Sequence, residues 1–137
     1  MKRRDFMHKA ATAGLSLGIF GLPMAARAAA YHVVVVGGGM AGATVAKYLR
    51  TWSQGQINVT LIEKDASYTS NIMSNLVLTQ QRAMASLDYR RDVLATSYGV
   101  NLVQDRVVRL DTVNRQVLLA NRAPLSYDRV VVAPGVE

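Results

Sequence analysis

The chain contains no cysteine. This absence excludes disulfide bonds, thiolate metal ligands and a thiol nucleophile within these 137 residues. Histidine is also scarce, with only His8 near the start and His32 just before a run of valines. We interpret His32 as a solvated strand-end residue rather than a catalytic base. Because no histidines or acidic residues recur at ligand spacing on one face, we predict no metal site.

Charged residues are few, at 18% of the chain. The net charge of +7 includes a contribution of +4 from residues 1–28 alone. The other basic residues are scattered and form no stripe interleaved with aromatic residues, so we expect no nucleic-acid binding. Half of the residues are hydrophobic, which together with the length is typical of one globular domain.

The first 28 residues have the organisation of an export signal. A basic head over residues 1–9 precedes an apolar run over residues 10–24 and an A-x-A sequence at residues 26–28. The apolar run is too short to span a bilayer comfortably, so we expect no stable membrane insertion once the signal is removed. Arg3 and Arg4 resemble the paired arginines of the twin-arginine route, which predicts delivery to the periplasm. An uncleaved amphipathic anchor is the alternative.

A β-branched strand predicted over residues 31–36 leads into a glycine turn of the form G-x-G-x-x-G, followed by a helix over residues 41–52. Gly37 allows a sharp turn out of the strand. Gly39 lets a pyrophosphate approach the backbone, and Gly42 lets the helix pack closely on the strand. The helix N-terminus directs its amide dipoles at the phosphates. This unit predicts a dinucleotide site formed by Gly37, Gly38, Gly39, Met40, Ala41 and Gly42.

A second strand, predicted over residues 57–63, ends in a carboxylate about 20 residues after Gly42. From this position Glu63 can accept hydrogen bonds from both hydroxyls of an adenosine ribose. Its charge would repel a 2′-phosphate, which favours FAD or NAD over NADP. We include Lys64 in the same site. The alternative is that Glu63 is an ordinary exposed acid at a strand end.

The middle of the chain predicts smaller elements. We expect a polar loop over residues 64–71, a short helix over residues 72–78 and a further helix that is capped by Asp88 and ends at Gly99. The later predictions are a strand over residues 100–103, a hairpin of residues 106–111 and 116–119 with its turn at 112–115, a second turn at 121–124, and a core strand over residues 130–132. Together, the predicted elements indicate a parallel βαβ core with a small antiparallel insert.

The glycine turn and the late segment Y-D-R-V-V-V-A-P-G over residues 127–135 together resemble the flavoproteins that have two dinucleotide-binding domains. The resemblance implies that the first glycine turn binds the ADP half of FAD, and that Ala133, Pro134 and Gly135 pass close to the flavin ribityl chain and pyrophosphate. We also assign Val107 to the cofactor site. The fold class that we expect is α/β, a Rossmann-like FAD-binding domain, of which residues 29–137 form the N-terminal part.

Within that superfamily, the chain looks like the flavoprotein subunit of flavocytochrome c sulfide dehydrogenases, which are relatives of sulfide:quinone oxidoreductases. The likeness lies in residues 33–47, 59–64, 68–75 and 127–137. It covers only about the first third of such a protein. In that family a cysteine after the Tyr-Thr pair carries the flavin covalently, whereas this chain has Ser70. We therefore expect FAD to be bound non-covalently.

The resemblance implies a periplasmic enzyme that oxidises a small sulfur substrate and passes electrons through FAD to a c-type cytochrome partner. The family's redox cysteines lie beyond residue 137. We therefore expect the 137 residues alone to be inactive, to fold marginally and to bind ADP-like ligands weakly. The alternatives are another FAD- and NAD-dependent disulfide reductase or NADH dehydrogenase, and a non-catalytic dinucleotide-binding module.

Overall fold

The structure, a computed structural model, describes residues 31–135. The predicted signal over residues 1–28 lies outside this range. The strands are β1 (His32–Val36), β2 (Asn58–Glu63), β3 (Ser67–Thr69), β4 (Asp88–Arg90), β5 (Asn101–Gln104), β6 (Val107–Asp111), β7 (Gln116–Leu119), β8 (Leu125–Ser126) and β9 (Arg129–Val132). The helices are α1 (Met40–Trp52), α2 (Asn75–Leu78) and α3 (Asp92–Tyr98), with a 3₁₀ helix at Met84–Leu87.

Four of these strands form the central parallel sheet, in the order β5-β2-β1-β9. Val34 of β1 lies opposite Thr60 of β2 on one side and Val130 of β9 on the other. Strand β1 carries a β-branched run because both of its faces are covered. The predicted Rossmann-like α/β fold with its first βαβ unit is confirmed.

The sheet lies between two apolar layers. On one face, the helices α1 and α3 cover a core that contains Val35, Leu61 and Ala46. On the other face, the antiparallel strands contribute Val117 and Leu119, which pack against Val34 and Ile62 of the sheet. Alternate residues of β1 therefore pack into different layers, with Val33 and Val35 on one face and Val34 on the other. The glycine turn thus begins at the end of a strand that is packed on both faces.

Strands β6, β7 and β8 form the antiparallel insert. The predicted hairpin and its turn are confirmed, since Asp111 accepts hydrogen bonds from the backbone N–H groups of Val113 and Asn114. Strand β8 was not predicted because it has only two residues, and its pairing depends on β7.

Three predictions for the middle of the chain were wrong in part. Residues 64–71 are not entirely a loop, because β3 pairs with β4. Asp88 therefore begins a strand and not a helix, and its carboxylate accepts a hydrogen bond from Thr69. Helix α3 starts later, at Asp92, and ends as predicted at Gly99, which adopts the left-handed conformation. The short helix predicted over residues 72–78 is confined to Asn75–Leu78.

Between residues 31 and 135, none of the helices has the length and apolar character needed to cross a membrane.

Candidate functional site

The glycine turn connects β1 to α1 and packs against the segment that follows β9. Gly37 has a φ of +100°, and a Cβ at this position would collide with the carbonyl group of Ala133. The Ala133 N–H donates in turn to the Val36 carbonyl oxygen at 2.8 Å. The first and last predicted site segments therefore lie against each other. A Cβ on Gly42 would collide with the Gly37 carbonyl oxygen, so α1 can approach the strand only with glycine here.

The N-terminus of α1 is open to a negatively charged ligand. Gly39 is the N-cap residue, no side chain caps the helix, and its first turn has no acidic residue. The first amide groups of a helix lack partners within the helix and carry its positive dipole end. A Cβ added to Gly39 would make only an ordinary contact, 3.7 Å from the Tyr68 ring. Met40 and Ala41 are exposed beside it. These features fit a pyrophosphate group.

The Glu63 carboxylate lies beside this turn at the end of β2. Its Oε2 accepts a hydrogen bond from the Gly38 N–H at 2.6 Å, and its Oε1 accepts from the N–H groups of Lys64 (2.8 Å) and Asp65 (3.2 Å). Three of the carboxylate's roughly four acceptor positions are thus used by the backbone. One position remains for a ribose hydroxyl without any rearrangement, whereas our prediction assumed two.

Glu63 is ionised over a wide pH range. Partial burial raises its pKa, but the three backbone hydrogen bonds and the nearby Arg91 guanidinium lower it. The net effect is a pKa below the usual glutamate value, so the carboxylate keeps its charge under mildly acidic conditions.

A pocket of about 300 Å³ lies between the ends of β1 and β2 and the segment that follows β9. It brings together five of the residues predicted from the sequence, which are Gly37, Glu63, Lys64, Val107 and Pro134. Val36, Ile62, Asp105 and Arg106 complete its lining. The apolar and polar walls suit a purine base and its ribose. A larger pocket of about 470 Å³ shares Glu63 but contains no residue of the glycine turn.

Ser70 and Gly135, which were also predicted as site residues, lie outside this pocket. Ser70 is only 6% exposed, and its hydroxyl accepts a hydrogen bond from the Ile72 N–H at 3.2 Å. Gly135 has a φ of +81°, and a Cβ there would meet nothing within 4 Å. Their roles in cofactor binding stay predictions.

Asp105 is a site residue that the sequence analysis missed. It is 5% exposed, and its carboxylate accepts hydrogen bonds from the Arg106 N–H and from the backbone and side-chain amides of Asn121. Burial raises the pKa of Asp105, but these hydrogen bonds and the charge of Arg122 bring it below the usual aspartate value. Asp105 thus fixes the loop that leads into Val107. The sequence contains no signal for it, because its partner follows a whole hairpin later.

Arg91 was missed as well. Its guanidinium donates from Nε to the Gly38 carbonyl oxygen at 2.7 Å, which connects α3 to the glycine turn.

His32, by contrast, lies at the far end of β1 from the glycine turn, where its backbone N–H donates to Asp128 and its ring nitrogen is 2.9 Å from the Thr60 hydroxyl. No group of side chains suited to hold a metal ion exists over residues 31–135.

Two sequence relatives match most of this chain. It is 36% identical over 106 residues to the probable ferredoxin reductase CtmF of Castellaniella defragrans, which covers 76% of this chain and 26% of that protein. It is 30% identical over 104 residues to the ferredoxin–NAD(+) reductase component of the biphenyl dioxygenase system of Paraburkholderia xenovorans, covering 75% and 26%. The chain thus spans about a quarter of the length of these relatives.

Among solved structures, the sulfide:quinone oxidoreductase of Aquifex aeolicus matches with a TM-score of 0.71 and 22% identity, over 79% of this chain and 25% of that one. A putidaredoxin reductase, solved in a covalent complex with putidaredoxin, matches with a TM-score of 0.63 and 28% identity, over 77% and 26%. The model of the pyridine nucleotide-disulphide oxidoreductases matches residues 31–137. The chain therefore belongs to the pyridine nucleotide-disulphide oxidoreductase family.

Proposed function

We propose that this chain binds the ADP half of FAD as the N-terminal part of a flavoprotein oxidoreductase. The observation that carries the proposal is the pocket in which Gly37, Glu63, Val107 and Pro134 meet, beside the open N-terminus of α1. Amides of the first turn of α1 would hold the pyrophosphate, and Glu63 would hold the ribose. Lys64 and Val107 would flank the adenine.

FAD would supply the electron transfer, since a bound flavin can take up two electrons and release them singly. The protein's own contribution is to bind and orient it. The apolar floor formed by Val36 and Ile62 excludes water on one side of the pocket, and the ionised Glu63 selects against a 2′-phosphate.

For the complete protein, we propose sulfide oxidation in the periplasm, with a c-type cytochrome as electron acceptor. The motifs over residues 33–47, 59–64, 68–75 and 127–137 support this assignment, as does the predicted twin-arginine signal. In the family that these motifs resemble, sulfide attacks a disulfide next to the flavin. This chain has no cysteine, so that disulfide would be formed by other residues of the complete protein.

A ferredoxin reductase is the second candidate. The relative at 36% identity carries the name probable ferredoxin reductase, and the relative at 30% is the ferredoxin–NAD(+) reductase component of a dioxygenase system. In this alternative, NADH would reduce the flavin and an iron–sulfur protein would receive the electrons.

Assays with each combination of electron donor and electron acceptor distinguish the two candidate functions. The complete protein, loaded with FAD, is mixed with sulfide or NADH and with a c-type cytochrome or a ferredoxin. We expect reduction of the cytochrome by sulfide. Reduction of ferredoxin by NADH, without any response to sulfide, would replace the first candidate by the second. The 137-residue chain alone serves as a control and should show no sulfide-dependent reduction, because it offers sulfide no sulfur atom to attack.

The proposed periplasmic location has its own test. Residues 1–28 are fused to a reporter that folds before export, and Arg3 and Arg4 are both changed to lysine in a second fusion. We expect export of the first fusion only, with cleavage after Ala28. Equal export of both fusions would argue against the twin-arginine route, and an uncut exported product would favour the membrane anchor.

A further inference from the structure

Charged side chains hold the two peptide groups that flank the Cα atom of Gly38. Its N–H donates to Glu63 Oε2 at 2.6 Å, and its carbonyl oxygen accepts from Arg91 Nε at 2.7 Å. Gly38 occupies the first variable position of the G-x-G-x-x-G turn, so the orientation of these two peptide groups sets the direction of the backbone on which a pyrophosphate would lie. Both of its partners are charged, and hydrogen bonds of this kind are stronger than neutral ones.

The Arg91 guanidinium also bridges the turn to a second segment. Its Nη1 donates to the Asp65 carbonyl oxygen at 2.8 Å, and its Nη2 donates to the Ser67 carbonyl oxygen at 3.2 Å. One planar side chain therefore fixes the glycine turn relative to the loop that follows Glu63. The adjacent Arg90 does nothing comparable, since it is 80% exposed and pairs with Asp92 on the surface.

We propose that Arg91 is a positioning residue for the dinucleotide site, which fixes the backbone of Gly38 together with Glu63 and so keeps the glycine turn in its binding conformation. The proposal rests on the proposed binding of FAD. A turn without side chains has much conformational freedom, and ordering it only when the ligand binds would cost affinity. Arg91 removes that cost by ordering the turn beforehand.

The same geometry explains why this position of the turn is glycine. A Cβ on Gly38 would lie 2.5 Å from Arg91 Nε and 2.9 Å from Glu63 Cβ. Both distances are shorter than a Cβ tolerates, so a larger residue at this position would have to displace the Arg91 side chain or shift Glu63.

The test compares two adjacent arginines in the full chain. FAD and ADP are titrated into the wild type, Arg91→Gln, Arg91→Lys and Arg90→Gln. We expect Arg91→Gln to weaken binding about tenfold or more, because its loss removes charge-assisted hydrogen bonds. Arg90→Gln should leave affinity within about twofold, as expected for an exposed pair. Arg91→Lys should recover part of the loss, since an ammonium group can reach one carbonyl but cannot span three.

Failure of the wild type to bind either nucleotide would overturn the proposed function itself. Measurable binding by the wild type together with equal binding by Arg91→Gln would overturn only the role of Arg91. If Arg91→Gln does not fold, the test relies on Arg91→Lys. An affinity of Arg91→Lys for FAD and ADP equal to that of the wild type would contradict the proposal.

A pH profile separates positioning from general stabilisation. Burial raises the pKa of Glu63, whereas the hydrogen bonds from the Gly38, Asp65 and Lys64 N–H groups and the charge of Arg91 lower it. Arg91→Gln removes that charge and releases the Gly38 backbone that donates to Glu63, so the loss of ADP affinity on acidification should begin at a higher pH than in the wild type. If Arg91 only stabilised the fold, Arg91→Gln would reduce the folded fraction but leave the pH at which ADP affinity falls unchanged. Affinity that falls at the same pH in both proteins would therefore count against the proposal. Arg90→Gln is again the control. The charged groups that line the two pockets around Glu63 are Lys64, Asp65, Arg90, Arg91, Asp92, Asp105 and Arg106.

Discussion

At the scale of single residues, we propose that Glu63 gives the site its selectivity for a nucleotide without a 2′-phosphate. Glu63→Ala should weaken ADP or FAD binding by about 2–4 kcal/mol, because charge-assisted hydrogen bonds to the ribose and to Gly38 are lost. Asp65→Ala, which changes an exposed carboxylate two residues away, should have no such effect. Calorimetric titration measures both. An unchanged dissociation constant in Glu63→Ala would show that this carboxylate is an ordinary strand-end acid.

The ionisation of Glu63 also sets a pH dependence. Its pKa in the folded protein lies below the usual value, so its contribution to stability is fully present above the unfolded-state pKa. The contribution disappears as the pH falls through the lowered folded-state pKa. Denaturant unfolding of the wild type and Glu63→Gln across this acidic range should therefore converge at low pH. A constant difference between them would contradict this linkage.

We propose that the flavin is held non-covalently because position 70 is a serine. Because it replaces the cysteine that would form a thioether, and the chain has no other thiol, we expect FAD to be released by acid precipitation. All yellow colour should appear in the supernatant. Colour that stays in the pellet would require a different covalent link, for example through His32 or a tyrosine.

At the scale of elements, two positions of the glycine turn should affect different properties: Gly42 the stability of the fold and Gly39 the affinity for nucleotide. Gly42→Ala would place a Cβ against the Gly37 carbonyl and should destabilise the protein by about 3 kcal/mol or more. Gly39→Ala meets only the Tyr68 ring at 3.7 Å, so stability should be preserved while nucleotide affinity falls. Urea unfolding and ADP titration measure the two effects. Normal ADP affinity in Gly39→Ala would show that no phosphate approaches this residue.

The antiparallel insert stabilises the sheet through one buried layer. Val117 is fully buried against it, and Val117→Ala should lower the free energy of unfolding by about 1.5–3 kcal/mol. Val113, at the hairpin tip, is 90% exposed, and Val113→Ala should change stability by less than about 0.5 kcal/mol. Equal effects of the two substitutions would mean that the insert does not pack on the parallel sheet.

Elements defined by local patterns could be predicted from the sequence, whereas elements that depend on distant partners could not. The valine run, the glycine turn and Glu63 follow one another closely, and each has a distinctive composition. Strands β3 and β4 are short and largely exposed, and nothing in either one indicates the other. The position of Arg91 at the glycine turn depends on that pairing. For the same reason the sequence reveals Glu63 as a site residue but not Arg91.

At the scale of the whole molecule, residues 31–135 have an exposed sheet edge beside the proposed cofactor site. Strand β9 is an edge strand among these residues, and its Val132 is 60% exposed. Such an apolar edge favours association with other chains. We therefore expect the 137-residue chain alone to be marginally stable, although the proposed contacts to ADP would be local to the turn and to Glu63.

The central claim is that this chain forms the ADP site of an FAD-dependent oxidoreductase, and a competition experiment tests it most directly. FAD is bound to the protein, and its displacement by ADP is compared with displacement by 2′-phospho-ADP at equal concentration. ADP should displace FAD, while the 2′-phosphorylated nucleotide should be about tenfold or more weaker, because its phosphate faces the ionised Glu63. Absence of FAD binding, or equal displacement by the two nucleotides, would contradict the account.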